Sequence, residues 1–336
     1  MRFGRIATPD GMFFCTIDGA GDDEKYRVIR DTPFTTPNYT GQEYTKDQVR
    51  LLAPVLPSKI VAIGRNYADH VAEVFQKSAE HLPPTLFIKP PTAVVGPGAA
   101  IKIPDFATKV EFEGELALVI GKPCKKVKAD DWKSVVLGFT IINDVSSRDL
   151  QFADGQWARA KGIDTFAPLG PWIETDINSI DVDNLPIKAH LTHDGVTETK
   201  QDSNSSQMIM NLGEIIEMIT ESMTLLPGDV ICTGSPAGTA AMFPGDFIEI
   251  EIPGIGKLGN RCVPLKKGGA AGWCYFCAPA GRRHRNWCVA RPMGKSMSHR
   301  LTSHHEMPHS DGCWAKKLMA MSPAACVNAR AVIWSG

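Results

Sequence analysis

The sequence lacks the patterns that mark several large classes of protein. No apolar run approaches the roughly 18 to 20 residues of a membrane span, and the first residues show no signal-peptide pattern. The glycine-rich turn after Cys232 has neither the P-loop nor the dinucleotide-binding spacing, which argues against phosphate binding there. We therefore expect a cytoplasmic protein with no membrane partner.

The nine cysteines also form no regular pattern. Four of them (Cys15, Cys124, Cys232 and Cys262) are scattered through the first 263 residues, so we predict no disulfide framework. Residues 1–263 hold 25 Lys and Arg against 35 Asp and Glu, a net charge of −10. An acidic body gives no electrostatic reason to expect nucleic acid as a partner.

Residues 264–336 differ in composition from the rest of the chain. They hold 11 Lys and Arg against two acidic residues, four of the seven tryptophans and five of the nine histidines. Because no apolar period persists there, we predict a non-homologous, disordered tail. The alternative is a zinc site at Cys274, Cys277, His284 and Cys288, although their spacing matches no standard pattern closely.

The remaining sequence predicts an α+β protein. Residues 1–57 read as a small β-rich module, with strands at 13–17 and 25–29, and the main domain spans 58–263. Helices are expected from Asp69 to about residue 80, from Asp130, and from Ser205 to about residue 220, whereas 247–253 alternates like a closing strand. Strands outnumber helices and show no regular βαβ spacing.

Three acidic residues carry the strongest functional signal. If a strand begins near Glu115, its two-residue period places Glu113 and Glu115 on one face. Asp144 follows a second predicted strand at 136–142. Three carboxylates without a nearby imidazole or thiol favour magnesium, manganese or calcium over zinc. Glu111 shares the same face, and we interpret it as a surface or outer carboxylate.

Six segments in order resemble the fumarylacetoacetate hydrolase family over about residues 58–263. They are IVAIGRNYADHVAE (60–73), TLFIKPP (85–91), EGELA (113–117), NDVSSRDLQ (143–151), AKGIDTFAPLGP (160–171) and TLLPGDVICTGSP (224–236). The nearest resemblance is to the branch of soluble oxaloacetate decarboxylases and 2-hydroxyhepta-2,4-diene-1,7-dioate isomerases. It implies a mixed β-roll or sandwich, a homodimer, and Mg²⁺ or Mn²⁺ on Glu113, Glu115 and Asp144.

The resemblance also implies roles for residues around that metal. Lys161 is expected to stabilise a substrate carboxylate or enolate, with a Schiff base as the less favoured alternative. Arg148 and Gln151 are expected to orient the substrate, although Arg148 has the equal alternative of an ion pair with Asp149.

Two further groups of residues are assigned by the same resemblance. His70 and Glu73 match a catalytic pair on a lid, where Arg65 and Tyr67 would close over the substrate. In the turn after residue 232, Thr233 and Gly234 are expected to donate to the substrate carboxylate. Ser235 stands where threonine is more usual.

We accordingly expect an enzyme that cleaves a C–C bond of a small 2-oxo dicarboxylic acid, with decarboxylation of oxaloacetate to pyruvate favoured. The C1 carboxylate and C2 carbonyl of such acids chelate a divalent ion, which stabilises charge that develops on the C2 oxygen. The alternatives are the heptadienedioate isomerase, an acylpyruvate hydrolase of the fumarylpyruvate type, and a non-catalytic metal-binding protein with a decayed site.

Overall fold

The fold is described from a computed structural model, which describes residues 1–78 and 83–265. The predicted tail therefore lies outside the described residues apart from Pro264 and Leu265, as does its alternative zinc site. No helix within the described ranges has the length and apolarity needed to cross a membrane.

The described chain is mostly β-structure with four short α-helices, in agreement with the α+β prediction. The strands are β1 Arg2–Thr8, β2 Gly11–Asp18, β3 Lys25–Ile29, β4 Tyr39–Thr45, β5 Arg50–Leu52, β6 Ile60–Gly64, β7 Thr85–Lys89, β8 Val94–Val95, β9 Ile101–Ile103, β10 Val110–Glu111, β11 Gly114–Ile120, β12 Val136–Asn143, β13 Ser146–Ser147, β14 Ala167–Glu174, β15 Pro186–His193, β16 Val196–Asn204, β17 Val230–Cys232, β18 Phe247–Ile252 and β19 Gly256–Pro264. The α-helices are α1 Ala68–Phe75, α2 Arg148–Asp154, α3 Ala158–Lys161 and α4 Leu212–Ser222.

Two large sheets organise these strands into the mixed β-roll expected from the sequence. Ten strands of the larger sheet run in the order β4, β3, β2, β1, β14, β12, β11, β17, β6, β7, with β5 on β1 and β8 on β14. The second sheet has the order β16, β15, β18, β19, β9. Most described pairs are antiparallel, but three are parallel: β17 with β6, β14 with β8, and β19 with β9.

Strand β11 lies in the middle of the larger sheet and is buried on both faces. Leu116, Leu118 and Ile120 join a core cluster with α4 and the second sheet, whereas Ala117 and Val119 join a cluster on the opposite face. The two-residue period of a strand produces this division. Glu115 lies on the same face of β11 as Ala117. The three acidic residues singled out from the sequence lie near the beginning of this strand.

The amino-terminal strands extend the larger sheet. β1 pairs with β14, with Arg2 opposite Glu174 and Phe3 opposite Ile173. Strand β3 has the predicted bounds, and β2 is longer than predicted at both ends. The strand predicted at 247–253 does not close the described fold, because β19 follows it and pairs with it.

The three predicted helices differ from the observed ones, for local reasons. α1 ends at Phe75 because Gln76 has a left-handed backbone conformation (φ 53°). The helix expected from Ser205 begins only at Leu212, where Asn211 and Glu214 form a capping box. Ile209, inside the predicted helix, precedes the observed one and is 48% exposed. The helix expected from Asp130 is a short 3-10 helix, Ala129–Ser134.

Candidate active site

The pairing of β11 with β12 brings the three predicted carboxylates together. Gly114 lies opposite Asn143, so Glu113 and Asp144 flank the same end of the pair. The Asp144 backbone N–H donates to the Glu113 carbonyl at 2.8 Å. One carboxylate oxygen from each of Glu113, Glu115 and Asp144 lies within 4.8 Å of the others, and all three residues are buried.

Three cations surround two of these carboxylates. Lys161 Nζ lies 2.5 Å from Glu113 Oε2 and 2.6 Å from Asp144 Oδ2. Lys89 Nζ donates to the other Asp144 oxygen at 2.5 Å, and Arg148 Nη2 lies 2.6 Å from Glu113 Oε1. Buried carboxylates need such partners, because desolvation of an unpaired charge is expensive.

Glu115 is in a different electrostatic environment. Among the described residues, the hydrogen bond recorded for its carboxylate comes from Gly234 N–H at 2.8 Å. Burial, followed by the negative charges of Asp144 and Glu113, raises the pKa of Glu115 well above its usual value. A divalent cation would remove this repulsion. The clustered hard oxygen donors and the uncompensated Glu115 therefore fit a divalent metal on this triad.

The ammonium of Lys161 stays charged in this environment. Burial opposes the charge, but the carboxylates of Asp144 and Glu113 outweigh burial and raise the pKa of Lys161. A Schiff base needs a neutral amine, so this shift disfavours the Schiff-base alternative. Lys161 also lies over the Phe87 ring, with Nζ 4.9 Å from the ring centroid.

Arg148 is held by carboxylates other than Asp149. Its Nε donates to Glu111 Oε2 at 2.7 Å, and its Nη1 donates to Gln151 Oε1 at 2.8 Å. The Asp149 carboxylate instead accepts from Ser147 and Thr108. The structure thus places Arg148 against the acidic site, and its recorded ion pairs are with Glu111 and Glu113. Glu111, interpreted from the sequence as a surface or outer carboxylate, is buried.

Helix α1 presents the predicted histidine and glutamate pair to the site. His70 Nδ1 lies 3.4 Å from Glu73 Oε2, and His70 Nε2 lies 3.5 Å from Glu113 Oε1. Burial lowers the pKa of His70, but Glu113 and Glu73 outweigh this effect and raise it overall. Both Glu73 oxygens accept from Gly238 N–H at 3.1 Å, which ties α1 to the loop after β17.

A pocket collects most of the residues predicted from the sequence. Its walls include all three carboxylates together with Arg65, His70, Arg148, Gln151 and Lys161. An adjoining outer cavity of about 730 Å³ shares Arg65, Phe75 and Arg148 with the pocket and includes Glu73. The pocket and the outer cavity thus share part of their walls.

The structure does not bring three other predicted residues to the pocket wall. Tyr67 is 1% exposed and lines a separate small cavity with Asp69 and Asp202. The Thr233 N–H and hydroxyl both donate to the Leu116 carbonyl, at 3.2 and 2.9 Å. Gly234, whose φ of +94° suits glycine, uses its N–H for Glu115. Ser235 lines the pocket in their place.

The structure places two residues with no role predicted from the sequence, Lys89 and Gln201, at or beside the site. Lys89 stands in the TLFIKPP segment, and it is the one buried residue of β7, so its place in that matching segment was the available signal. Trp157 lines the pocket and stacks with Phe75, with ring centroids 6.1 Å apart. Gln201 lies on β16, in a stretch with no functional pattern.

A buried carboxylate triad at the end of a central strand pair, in a mixed β-roll, forms a candidate metal centre. The chain belongs to the fumarylacetoacetate hydrolase family, because residues 59–263 match the family model described as fumarylacetoacetate (FAA) hydrolase C-terminal. Residues 1–54 match a second model, described as Rv2993c-like, N-terminal. Members of the family include isomerases, hydrolases and oxaloacetate tautomerases.

Similar proteins cover most of the described chain. A crystal structure of Cg1458 with inhibitor is 79% identical, covers 79% of this chain and 99% of its own, and has a TM-score of 0.78. A 2-hydroxyhepta-2,4-diene-1,7-dioate isomerase from Mycobacterium marinum is 47% identical, with 80% and 100% coverage and a TM-score of 0.71. The mitochondrial oxaloacetate tautomerase Fahd2a of Rattus norvegicus is 38% identical, with 65% of this chain and 71% of the relative covered.

Proposed function

We propose that this enzyme decarboxylates oxaloacetate to pyruvate with Mg²⁺ or Mn²⁺ held by Glu113, Glu115 and Asp144. The observation that carries the proposal is the charged Lys161 ammonium, which lies against two of these carboxylates at the pocket wall. A divalent ion on the triad would supply Lewis-acid stabilisation of negative charge on the substrate's C1 carboxylate and C2 oxygen.

The residues of the pocket support the remaining steps. Lys161 and Arg148 are fixed cations that can hold the substrate carboxylate and stabilise the enolate that forms when the C3–C4 bond breaks. CO₂ leaves with C4, and the electron pair of the broken bond moves into the enolate. His70, whose pKa is raised, can return a proton to C3 to give pyruvate. The aromatic side chains of Phe75 and Trp157 exclude water from this wall.

Keto–enol tautomerisation of oxaloacetate is the second candidate. It is favoured by the placement of His70 between Glu73 and Glu113, which suits proton transfer at C3. The named activity of the rat relative supports the same candidate. Both reactions pass through an enolate with charge on the C2 oxygen, so one pocket can serve either.

The test is a substrate panel with the full chain and Mn²⁺, and with the metal-catalysed background subtracted. Pyruvate release should be enzyme-dependent for oxaloacetate and should disappear in excess chelator. Loss of enol absorbance without pyruvate release would favour the tautomerase. Turnover of an acylpyruvate or of the heptadienedioate alone would favour the hydrolase or the isomerase, and no turnover of any substrate would favour a decayed site.

A further inference from the structure

Gln201 is a buried amide on a strand whose preceding residues are exposed. The burial pattern of β16 changes from exposed, over Val196 to Lys200, to fully buried at Gln201. The register of β15 and β16 shifts at this point, since Ala189 pairs with Gln201 but His190 pairs with Thr199. Such an irregularity inserts one residue into a strand and re-aims the next side chain. Here it directs Gln201 inward.

The Gln201 amide contacts two separate backbone segments of the candidate active site. Its Oε1 accepts from Gly114 N–H at 3.0 Å. Its Nε2 donates to Ser235 Oγ at 2.9 Å and to the Pro236 carbonyl at 2.7 Å. Both amide hydrogens and the amide oxygen therefore have partners, which fixes the orientation of the side chain.

The residues that Gln201 contacts are neighbours in sequence of Glu115 or of the residue that donates to Glu115. Gly114 is the residue between Glu113 and Glu115. Ser235 follows Gly234, whose N–H donates to Glu115 Oε2 at 2.8 Å. A side chain on Gly114 would place its Cβ 2.9 Å from Gln201 Oε1, so the glycine leaves the space that the amide needs. One side chain thus joins both segments that set the position of Glu115.

We propose that Gln201 is a positioning residue for the metal centre, which holds Glu115 in a cation-binding geometry and orients Ser235 at the pocket wall. This inference rests on the metal centre of the proposed function. Gln201 does not line the pocket and acts through Gly114 and Ser235. Loss of its hydrogen bonds would leave the buried Gly114 N–H without its acceptor. It would also remove one of two donors to the Pro236 carbonyl, which accepts from Ser235 Oγ as well at 3.1 Å. Both groups belong to the segments around Glu115.

The test measures Mn²⁺ binding by calorimetry on the metal-free full chain, with no substrate present. Gln201→Met keeps the length of the side chain but removes its hydrogen bonds. We expect Mn²⁺ affinity to fall about 10- to 100-fold, as for other residues that orient metal ligands. The KM for oxaloacetate should rise in the same variant. Ser235→Ala leaves the Gly114 contact in place, so it should raise KM and keep Mn²⁺ affinity near the wild-type value.

A matched control separates positioning from stability. Ile187→Ala, a fully buried residue on the neighbouring strand β15, should lower the thermal midpoint without weakening Mn²⁺ binding. If Gln201→Met is insoluble, Gln201→Asn carries the same test, because its amide is one methylene too short to reach both segments. Unchanged Mn²⁺ affinity in the Gln201 variant, or an equal loss in Ile187→Ala, would overturn the inference. Normal Mn²⁺ binding by wild type without pyruvate release would overturn the proposed function alone.

Discussion

Lys89 Nζ lies 2.5 Å from Asp144 Oδ1, and the side chains are 0% and 1% exposed. Lys89 also donates to the Val145 carbonyl at 3.2 Å. The pair joins the end of β7 to the residue that follows β12, across 55 positions of sequence. A buried ion pair of this kind is costly to break, because Asp144 Oδ1 and the Val145 carbonyl would lose a buried donor and Lys161 would remain as the cation paired with the other Asp144 oxygen.

Lys89→Met should therefore destabilise the metal-free protein strongly. Breaking a buried ion pair costs about 3 to 5 kcal/mol in free energy of unfolding. Urea denaturation in the presence of chelator measures the loss. The control is Lys257→Met, since Lys257 is 53% exposed and pairs with surface glutamates, and its loss should stay below about 1 kcal/mol. Equal losses in the two variants would show that the Lys89 contact contributes no more than a surface pair.

Asp149 should make a contribution to the free energy of unfolding that depends on pH. Burial raises the pKa of this carboxyl, but hydrogen bonds from Ser147 and Thr108 outweigh burial and lower the pKa to about 2. The folded-state pKa lies below the ordinary value of 3.8, so the stabilisation is present above that ordinary value and disappears as pH falls through about 2.

Asp149→Asn should accordingly lose about 1 kcal/mol in free energy of unfolding at pH 7, the usual contribution of such hydrogen bonds. The difference from wild type should shrink as the pH falls from 4 toward 2. Urea denaturation at several pH values gives both curves, with exposed Asp183→Asn as the control. A difference that is independent of pH would refute the hydrogen-bonded carboxylate as its source.

Truncation after Leu265 should leave the catalytic domain folded and active. Strand β19 ends at Pro264, and Leu265 N–H donates to the Ile103 carbonyl at 2.8 Å, so the described sheets keep all their strands. Circular dichroism, the thermal midpoint and Mn²⁺-dependent turnover should match those of the full chain. Insoluble or inactive protein would show that the predicted tail belongs to the folded domain.

His70→Ala should separate decarboxylation from hydrolysis. In a hydrolase the histidine activates water, and its loss removes about 10² to 10⁴-fold of the rate, as expected for general base catalysis. In a decarboxylase it acts after the C–C bond breaks, so pyruvate release should fall less and stereochemical control of protonation at C3 should be lost. The measurement compares turnover of oxaloacetate and an acylpyruvate at matched Mn²⁺. A larger loss with oxaloacetate would contradict the role assigned to His70.

The α+β architecture and the grouping of Glu113, Glu115 and Asp144 could both be predicted from the sequence. Glu113 and Glu115 share a strand period, and Asp144 directly follows the strand that pairs with theirs. These features are local in sequence, and the antiparallel pairing of β11 with β12 places the three carboxylates close together. The ends of the helices were less predictable, because they depend on the left-handed turn at Gln76 and the cap at Asn211.

The groups that surround the triad depend on distant contacts. Gln201 meets Gly114 across 87 residues, and nothing in the exposed pattern of β16 predicts that its side chain turns inward. Thr233 fits a substrate-binding motif, but its hydroxyl donates to Leu116 and Ser235 lines the pocket instead. The motif predicts that a turn lies here. The packing of that turn against β11 determines which of its atoms face the pocket.

The most direct test of the metal centre and its reaction is Glu115→Gln, assayed for Mn²⁺ affinity and for pyruvate release from oxaloacetate in parallel. The variant removes one ligand charge and also relieves the repulsion that raises the pKa of Glu115, so the metal-free protein should remain folded. We expect Mn²⁺ affinity and enzyme-dependent pyruvate release both to fall by about 100-fold or more, beyond the usual effect of residues that only orient ligands. Wild-type pyruvate release at limiting Mn²⁺ would contradict the assignment of Glu113, Glu115 and Asp144 as the metal centre of this enzyme.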